Sequence, residues 1–407
     1  MEEYGLRQFK WSLYTTYFLC GHALVVFGSV MPQIIEHYHL SYTEGGFFVF
    51  LGTGGFLLGV VFSSFLTKHY AYKKVISVAS VFLAIVQCLM VLVPPIGVVY
   101  LLNLLNGVLL SILQIIIATI IMDVFVGKRA VMMSRTEVSF GLGALCMPII
   151  SSILIAIAEW RYSFLVPSIL GILVASIWQS VSVPLIDRER IEYLEAQNAP
   201  PRIMTSQLKW ILLCLFLLMI FIYDGIETSL NNFLPSIFIN YSKVGVSYAT
   251  LSVSIFWLAM VIGRALTGWI VKKVTYHRFL LWSIVGTICF FGCFTLWRSI
   301  IICYAILFLI GLTMSGIYSV TMVFANHTFP GMTGFVTSLV TGFAGIGSAV
   351  FPAFFGYTMD HTNTFASLWI LTSYACLFLL LLLVLISLLF RKKESKWKEL
   401  QLQNNSE

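Results

Sequence analysis

Charge is what this chain has least of: 10% of its 407 residues are Asp, Glu, Lys or Arg, against 59% that are hydrophobic. With a mean hydropathy of +0.94, so few polar residues cannot cover a water-exposed globule, which excludes a soluble enzyme or scaffold. Strands of alternating polarity are also lacking. Uninterrupted apolar runs of roughly 20 residues take their place, excluding a membrane β-barrel and predicting an all-α integral membrane fold. No Walker A loop, HExxH helix or metal-type Cys/His spacing occurs, so neither enzymatic activity nor a cofactor or metal is expected. The eight cysteines (Cys20, Cys88, Cys146, Cys214, Cys289, Cys293, Cys303, Cys376) lie within apolar runs without CxxC spacing and read as small hydrophobes. No small-residue cleavage site precedes Glu36-His37-Tyr38, so the first run, from Trp11, reads as a retained span.

The net charge of +7 raises the question of a nucleic-acid partner, and its distribution answers it. Twenty of the 24 cations fall in alternate connections and at the two termini. Three (Arg161, Lys243, Arg298) lie in the other connections, and Arg264 lies within a span. That asymmetry is the positive-inside pattern. It predicts a multi-pass protein of the cell membrane with both termini cytoplasmic, a lipid bilayer as surroundings and no nucleic acid.

Apolar runs punctuated by Pro, Gly and charge predict twelve spans near 11–34, 45–67, 74–94, 97–125, 136–158, 162–184, 209–239, 246–271, 277–297, 299–325, 332–358 and 364–390. The polar connection 186–208, with Asp187-Arg188-Glu189-Arg190 and Pro200-Pro201, divides an N-terminal six-helix bundle, 1–185, from a C-terminal one, 209–390. A cytoplasmic tail follows at 391–407. The halves repeat at a shift of 204: Gly59, Lys68 and Tyr72 recur as Gly263, Lys272 and Tyr276. Gly107, Ser111 and Gln114 map onto Gly311, Ser315 and Tyr318, and Gly141, Gly143 and Pro148 onto Gly345, Gly347 and Pro352. One offset shared by three helix pairs points to an internal duplication. Two parallel six-helix repeats are a transporter architecture, with the substrate site between the halves near mid-membrane.

Intramembrane ionisable residues mark function by default, and the seventh span holds a cluster of them. Asp224 and Glu227 share a helical face that Asn231 continues one turn on. A carboxyl in an apolar cavity can exchange a proton near neutrality, so both are proton-coupling candidates. The bland alternative is that they only pair with a cation. Arg264 is the only cation well inside a helix, and Glu137 and Asp123, toward the cytoplasmic ends of theirs, are its possible partners. Glu137 with Arg264 is the candidate gating pair, and a purely structural pair is the competing reading. Gln114, its repeat mate Tyr318, Asn231, Asn232 and Trp257 offer amides, a phenol and an indole for a hydroxylated substrate, since pyranose faces stack on aromatics while hydroxyls bind amides. Core packing is the competing explanation for the aromatics, and helix-to-helix glue for Gln114. His22, near the centre of the first span, is either a substrate or proton-relay group or a histidine hydrogen-bonded to a neighbouring helix. The glycines read as close-packing surfaces. Asn240-Tyr241-Ser242 matches a glycosylation triplet.

Three stretches carry a resemblance: Thr136-Glu137-Val138-Ser139-Phe140-Gly141-Leu142-Gly143 with Pro148; Gly225-Ile226-Glu227-Thr228 with Asn232-Phe233-Leu234-Pro235; and Ser252-Val253-Ser254-Ile255-Phe256-Trp257 with Gly263-Arg264. The chain resembles the major facilitator superfamily and, within it, bacterial hexose permeases of the fucose-permease type. That resemblance implies a sugar carrier driven by the proton gradient, and it departs from the family in three places. Gln114 stands where the resemblance implies a glutamate, Asp224 is an added acid, and Leu66-Thr67-Lys68-His69-Tyr70-Ala71-Tyr72-Lys73 replaces the superfamily's Asp-Arg-Gly loop. With Gln114 neutral, the seventh-span acids are expected to be the only carboxylates at the membrane centre.

The leading expectation is a monomeric secondary transporter that imports a hexose or related polar metabolite with protons by alternating access. The alternative is a proton-coupled exporter of drugs or amphipathic metabolites, disfavoured because Gly141-Leu142-Gly143 is not followed directly by proline. A sensor on a transporter scaffold is the third reading. The short charged tail is more suited to headgroup anchoring than to signalling.

Overall fold

The computed structural model describes residues 2–125, 129–181, 207–329 and 332–404. Its helices satisfy their backbone polar groups within each segment, as hydrocarbon requires. Eleven are long and apolar enough to cross a membrane: Tyr42–Thr67, Tyr72–Val91, Ile96–Val124, Val131–Ala156, Trp160–Ser180, Gln207–Ser242, Val246–Ile270, Tyr276–Phe294, Ile300–Thr328, Phe335–His361 and Thr364–Leu389. Leu6–Ser29 and Met31–His37 together make a twelfth, the first in chain order, bent by 47° at the break. Pro32 opens its second segment, where a ring without an N–H interrupts the helical ladder. Most of the expected connection 186–208 lies outside the described residues. The last helix does not stop at the tail boundary: its backbone runs on as Thr364–Asn404.

Packing repeats as the 204-residue offset requires. Spans one and five, two and four, and three and six pack together, as do seven and eleven, eight and ten, and nine and twelve. A Cβ at Gly59 would lie 1.9 Å from Ser111 Oγ, and one at Gly263 2.1 Å from Ser315 Oγ. Mates assigned by offset alone thus occupy the same contact in each half. The copies diverge at the tenth span, which breaks at Ser315-Gly316 into Ile300–Met314 and Ile317–Thr328, where the fourth is one helix, Ile96–Val124.

The halves meet along two equivalent seams, span two with eleven and span five with eight, with spans one and seven touching between them. At the end opposite the termini, the Asp360 carboxylate closes the first seam. Oδ1 accepts the Tyr42 N–H at 2.9 Å, and Oδ2 accepts the Thr43 N–H at 2.6 Å and its hydroxyl at 2.5 Å. Asn240 Nδ2 donates to Tyr42 Oη at 2.6 Å, so the amide of the glycosylation triplet is engaged between the halves. The seam then passes Gly46, where a Cβ would lie 2.6 Å from the Pro352 carbonyl, and reaches Leu57 against Gly345. One turn nearer the termini, a Cβ at Gly342 would meet nothing within 4 Å. The second seam starts with Ser152 and Ser247, each hydroxyl donating to the other's carbonyl at 2.8 Å. It continues through Ser254 Oγ to the Leu145 carbonyl at 3.0 Å and ends at Glu137 and Arg264. Beyond it Ser134 and Arg135 are exposed. The halves are therefore bonded to each other at the end opposite the termini, and toward the termini the first seam loses contact at Gly342.

Candidate functional site

At the inner limit of the second seam Arg264 reaches two carboxylates on opposite halves. Its Nη1 lies 3.7 Å from Glu137 Oε2 and its Nη2 3.6 Å from Glu227 Oε1. Both are ion pairs too long for hydrogen bonds. The Glu137 side chain is 45% accessible and that of Glu227 16%, so Glu137 is the more exposed of the two acids. Asp224, one turn before Glu227, has no ion pair or hydrogen bond of its own among the described residues. It lies within electrostatic reach of Glu227 and Arg264. Three carboxylates thus surround one guanidinium, an excess of negative charge that is costly in so apolar a setting.

A second layer stacks on the first. Trp257 Nε1 donates to Asn231 Oδ1 at 2.8 Å. The Arg264 guanidinium sits 5.6 Å from the centroid of the same indole, and Phe140 of the other half meets its edge at 5.8 Å. Helical spacing explains the register: Phe140 is one turn from Glu137, Asn231 one turn from Glu227 and Trp257 two turns from Arg264. Span eight therefore connects span five of one half to span seven of its own at two levels, ionic and aromatic-amide.

The other sequence candidates divide. Tyr318, half-buried just past the break of the tenth span, lies within electrostatic reach of all three carboxylates. Gln114 is half-buried, and its backbone carbonyl accepts the Tyr17 hydroxyl at 3.2 Å. Tyr17 in turn lies within electrostatic reach of Glu137. Three candidates are engaged elsewhere. Asn231 carries the indole, Asn232 Nδ2 donates to the Thr228 carbonyl of its own helix at 2.9 Å, and His22 Nδ1 lies 3.0 Å from the Phe18 carbonyl with the ring buried. Asp123 accepts the Tyr72 hydroxyl at 3.1 Å, which leaves Glu137 as the partner of Arg264. One expectation needs correction: the seventh-span acids are not the only carboxylates at the centre, because Glu137 joins them through Arg264. Sequence reasoning missed Phe140 as a contact of the site, although its spacing from Glu137 was a usable signal.

A model of the Major Facilitator Superfamily matches residues 13–340. The chain is 26% identical over 398 residues to the glucose/mannose transporter GlcP of Bacillus subtilis (strain 168), covering 94% of each. To a TsgA homolog of Buchnera aphidicola subsp. Baizongia pistaciae it is 21% identical over 323 residues, 78% of this chain and 79% of that one. Among solved structures, a D-xylose-proton symporter matches with a TM-score of 0.75 at 15% identity, over 93% of this chain and 97% of that one. A bacterial homolog of the human lysosomal transporter Spinster, inward-facing and occupied, matches with a TM-score of 0.72 at 15% identity, over 95% and 96%. At these identities the structural likeness is one of fold.

Proposed function

Since the chain belongs to the Major Facilitator Superfamily and is a membrane transporter of that family, we propose that it is a secondary symporter taking up a hexose or related polar metabolite with protons. The observation that carries this reading is Asp224, a carboxylate without a hydrogen-bond or ion-pair partner among the described residues, beside a guanidinium already shared by Glu137 and Glu227. A carboxyl so placed suits loading and unloading a proton, and the glucose/mannose transporter of Bacillus subtilis supports a sugar as cargo. In this reading Asp224 or Glu227 takes the proton, while Gln114 and Tyr318 bind hydroxyls. The Glu137–Arg264 pair acts as the gate between the halves. With the termini in the cytoplasm, as the cation distribution implies, the bonded ends of the two seams face outward. The exporter reading draws no support from these relatives.

In a symporter of this kind protonation of the seventh-span acids favours sugar binding, and by linkage sugar favours protonation by the same factor. Thermal shift of the purified protein against a panel of hexoses, other polar metabolites and hydrophobic cations at two pH values tests this. Hexoses should stabilise the protein, more at the lower pH, by about 2.7 kcal/mol at a hundredfold excess over Kd. Stabilisation by hydrophobic cations alone would overturn the reading.

A further inference from the structure

Trp257 carries three contacts at once: its N–H is spent on Asn231 Oδ1, one face supports Arg264, and its edge meets Phe140 across the seam. An indole used on three sides is poorly placed to stack on a sugar. We propose that Trp257 is a positioning residue, holding Arg264 at the point where it reaches Glu137 and Glu227 together, so that a change at the seventh span is passed to the other half. The inference rests on the transport reading for its consequence and on the two-layer geometry for its substance.

The physical reasoning starts from the ion pairs. At 3.6 and 3.7 Å neither fixes the guanidinium by hydrogen bonding. A long Arg side chain between two competing acids would wander between them unless something else fixed its plane. The Trp257 face is the group in place to do so, since a guanidinium over an indole is attracted to the ring's negative face. The indole is itself held by Asn231, which stands one turn from Glu227 on the same helix. The seventh span thus steers Arg264 twice, through Glu227 and through the ring. Phe140 stands one turn from Glu137, so the fifth span receives both layers. A group that loosens either layer on the seventh span displaces both contacts on the fifth.

Two readouts separate positioning from sugar stacking. The first is seam closure, measured without any sugar in the full-length protein: Ser152→Cys and Ser247→Cys, in a background with the native cysteines replaced, report the far end of the seam by cross-linking yield. Trp257→Leu should lower that yield about fivefold, and Trp257→Phe, which keeps the aromatic face under Arg264, should restore most of it. Arg264→Lys keeps the charge but loses the two-armed guanidinium and should behave like Trp257→Leu. The second is kinetic: in liposomes Trp257→Leu should lower the maximal exchange rate about tenfold with little change in KM. The proposal is overturned if Trp257→Leu cross-links like the parent, or if it raises KM at an unchanged maximal rate, the signature of a lost stacking platform. If Trp257→Leu does not fold, Arg264→Lys decides by the cross-link alone, and a parent-like yield overturns the proposal. Cross-linking holds whatever the cargo, so a protein that moves no sugar yet shows the seam change refutes the symport reading and not this one.

Discussion

The seam between spans two and eleven and the seam between spans five and eight are the same contact made twice by duplication, yet each is closed by different chemistry. In the first, a carboxylate caps the start of a helix at the end opposite the termini, and the seam ends inward on Leu57 against Gly345. In the second, neutral hydroxyls hold the far end and the charges stand inward, at Glu137 and Arg264. Duplication set the geometry and divergence set which end is electrostatic. Charge at the exposed far end can separate into water at small cost, whereas charge at the inner limit cannot, so only the second seam couples its closure to events at the membrane centre.

The largest effect should come from breaking the inner charges. Arg264→Leu leaves Glu137 and Glu227 without their counter-ion, which should lower stability more than either substitution below and abolish transport. Calorimetry and liposome uptake check both. A smaller effect is expected at the far end of the other seam. Asp360→Ala removes an acceptor of two backbone N–H groups and should weaken closure by about 1–2 kcal/mol, comparable with the loss of a helix cap. Faster labelling of a cysteine at Asn240 would report it, with transport retained. Ser247→Ala, which removes one neutral hydroxyl donor, should change the same labelling least, by about 0.5–1 kcal/mol. Equal effects of the Asp360 and Ser247 variants would erase the proposed difference between the seams.

Much of the fold is legible in the sequence because hydrocarbon leaves the backbone few options. The 204-residue offset pairs Gly59 with Gly263 and Ser111 with Ser315, and the coordinates add that each glycine packs on the serine of its own half. The acids of span seven are legible for a related reason, the cost of placing charge there. What a single chain cannot display is which distant residue answers each charge. Asp360 reads as an ordinary helix-end acid, and its partners lie more than 300 positions away. Trp257 reads as a sugar platform until its N–H is found on Asn231. His22 shows the opposite limit: the expected bond is to a neighbouring helix, and Nδ1 lies instead against the carbonyl one turn back in its own helix.

Uptake of radiolabelled hexose into liposomes under an imposed inward proton gradient, comparing the parent protein with Asp224→Asn, bears most directly on coupling at the seventh span. The parent should accumulate sugar above equilibrium, and the variant should exchange it across the membrane at a comparable rate without accumulation. Accumulation by Asp224→Asn equal to that of the parent, or none by the parent in the presence of brisk exchange, would contradict the assignment.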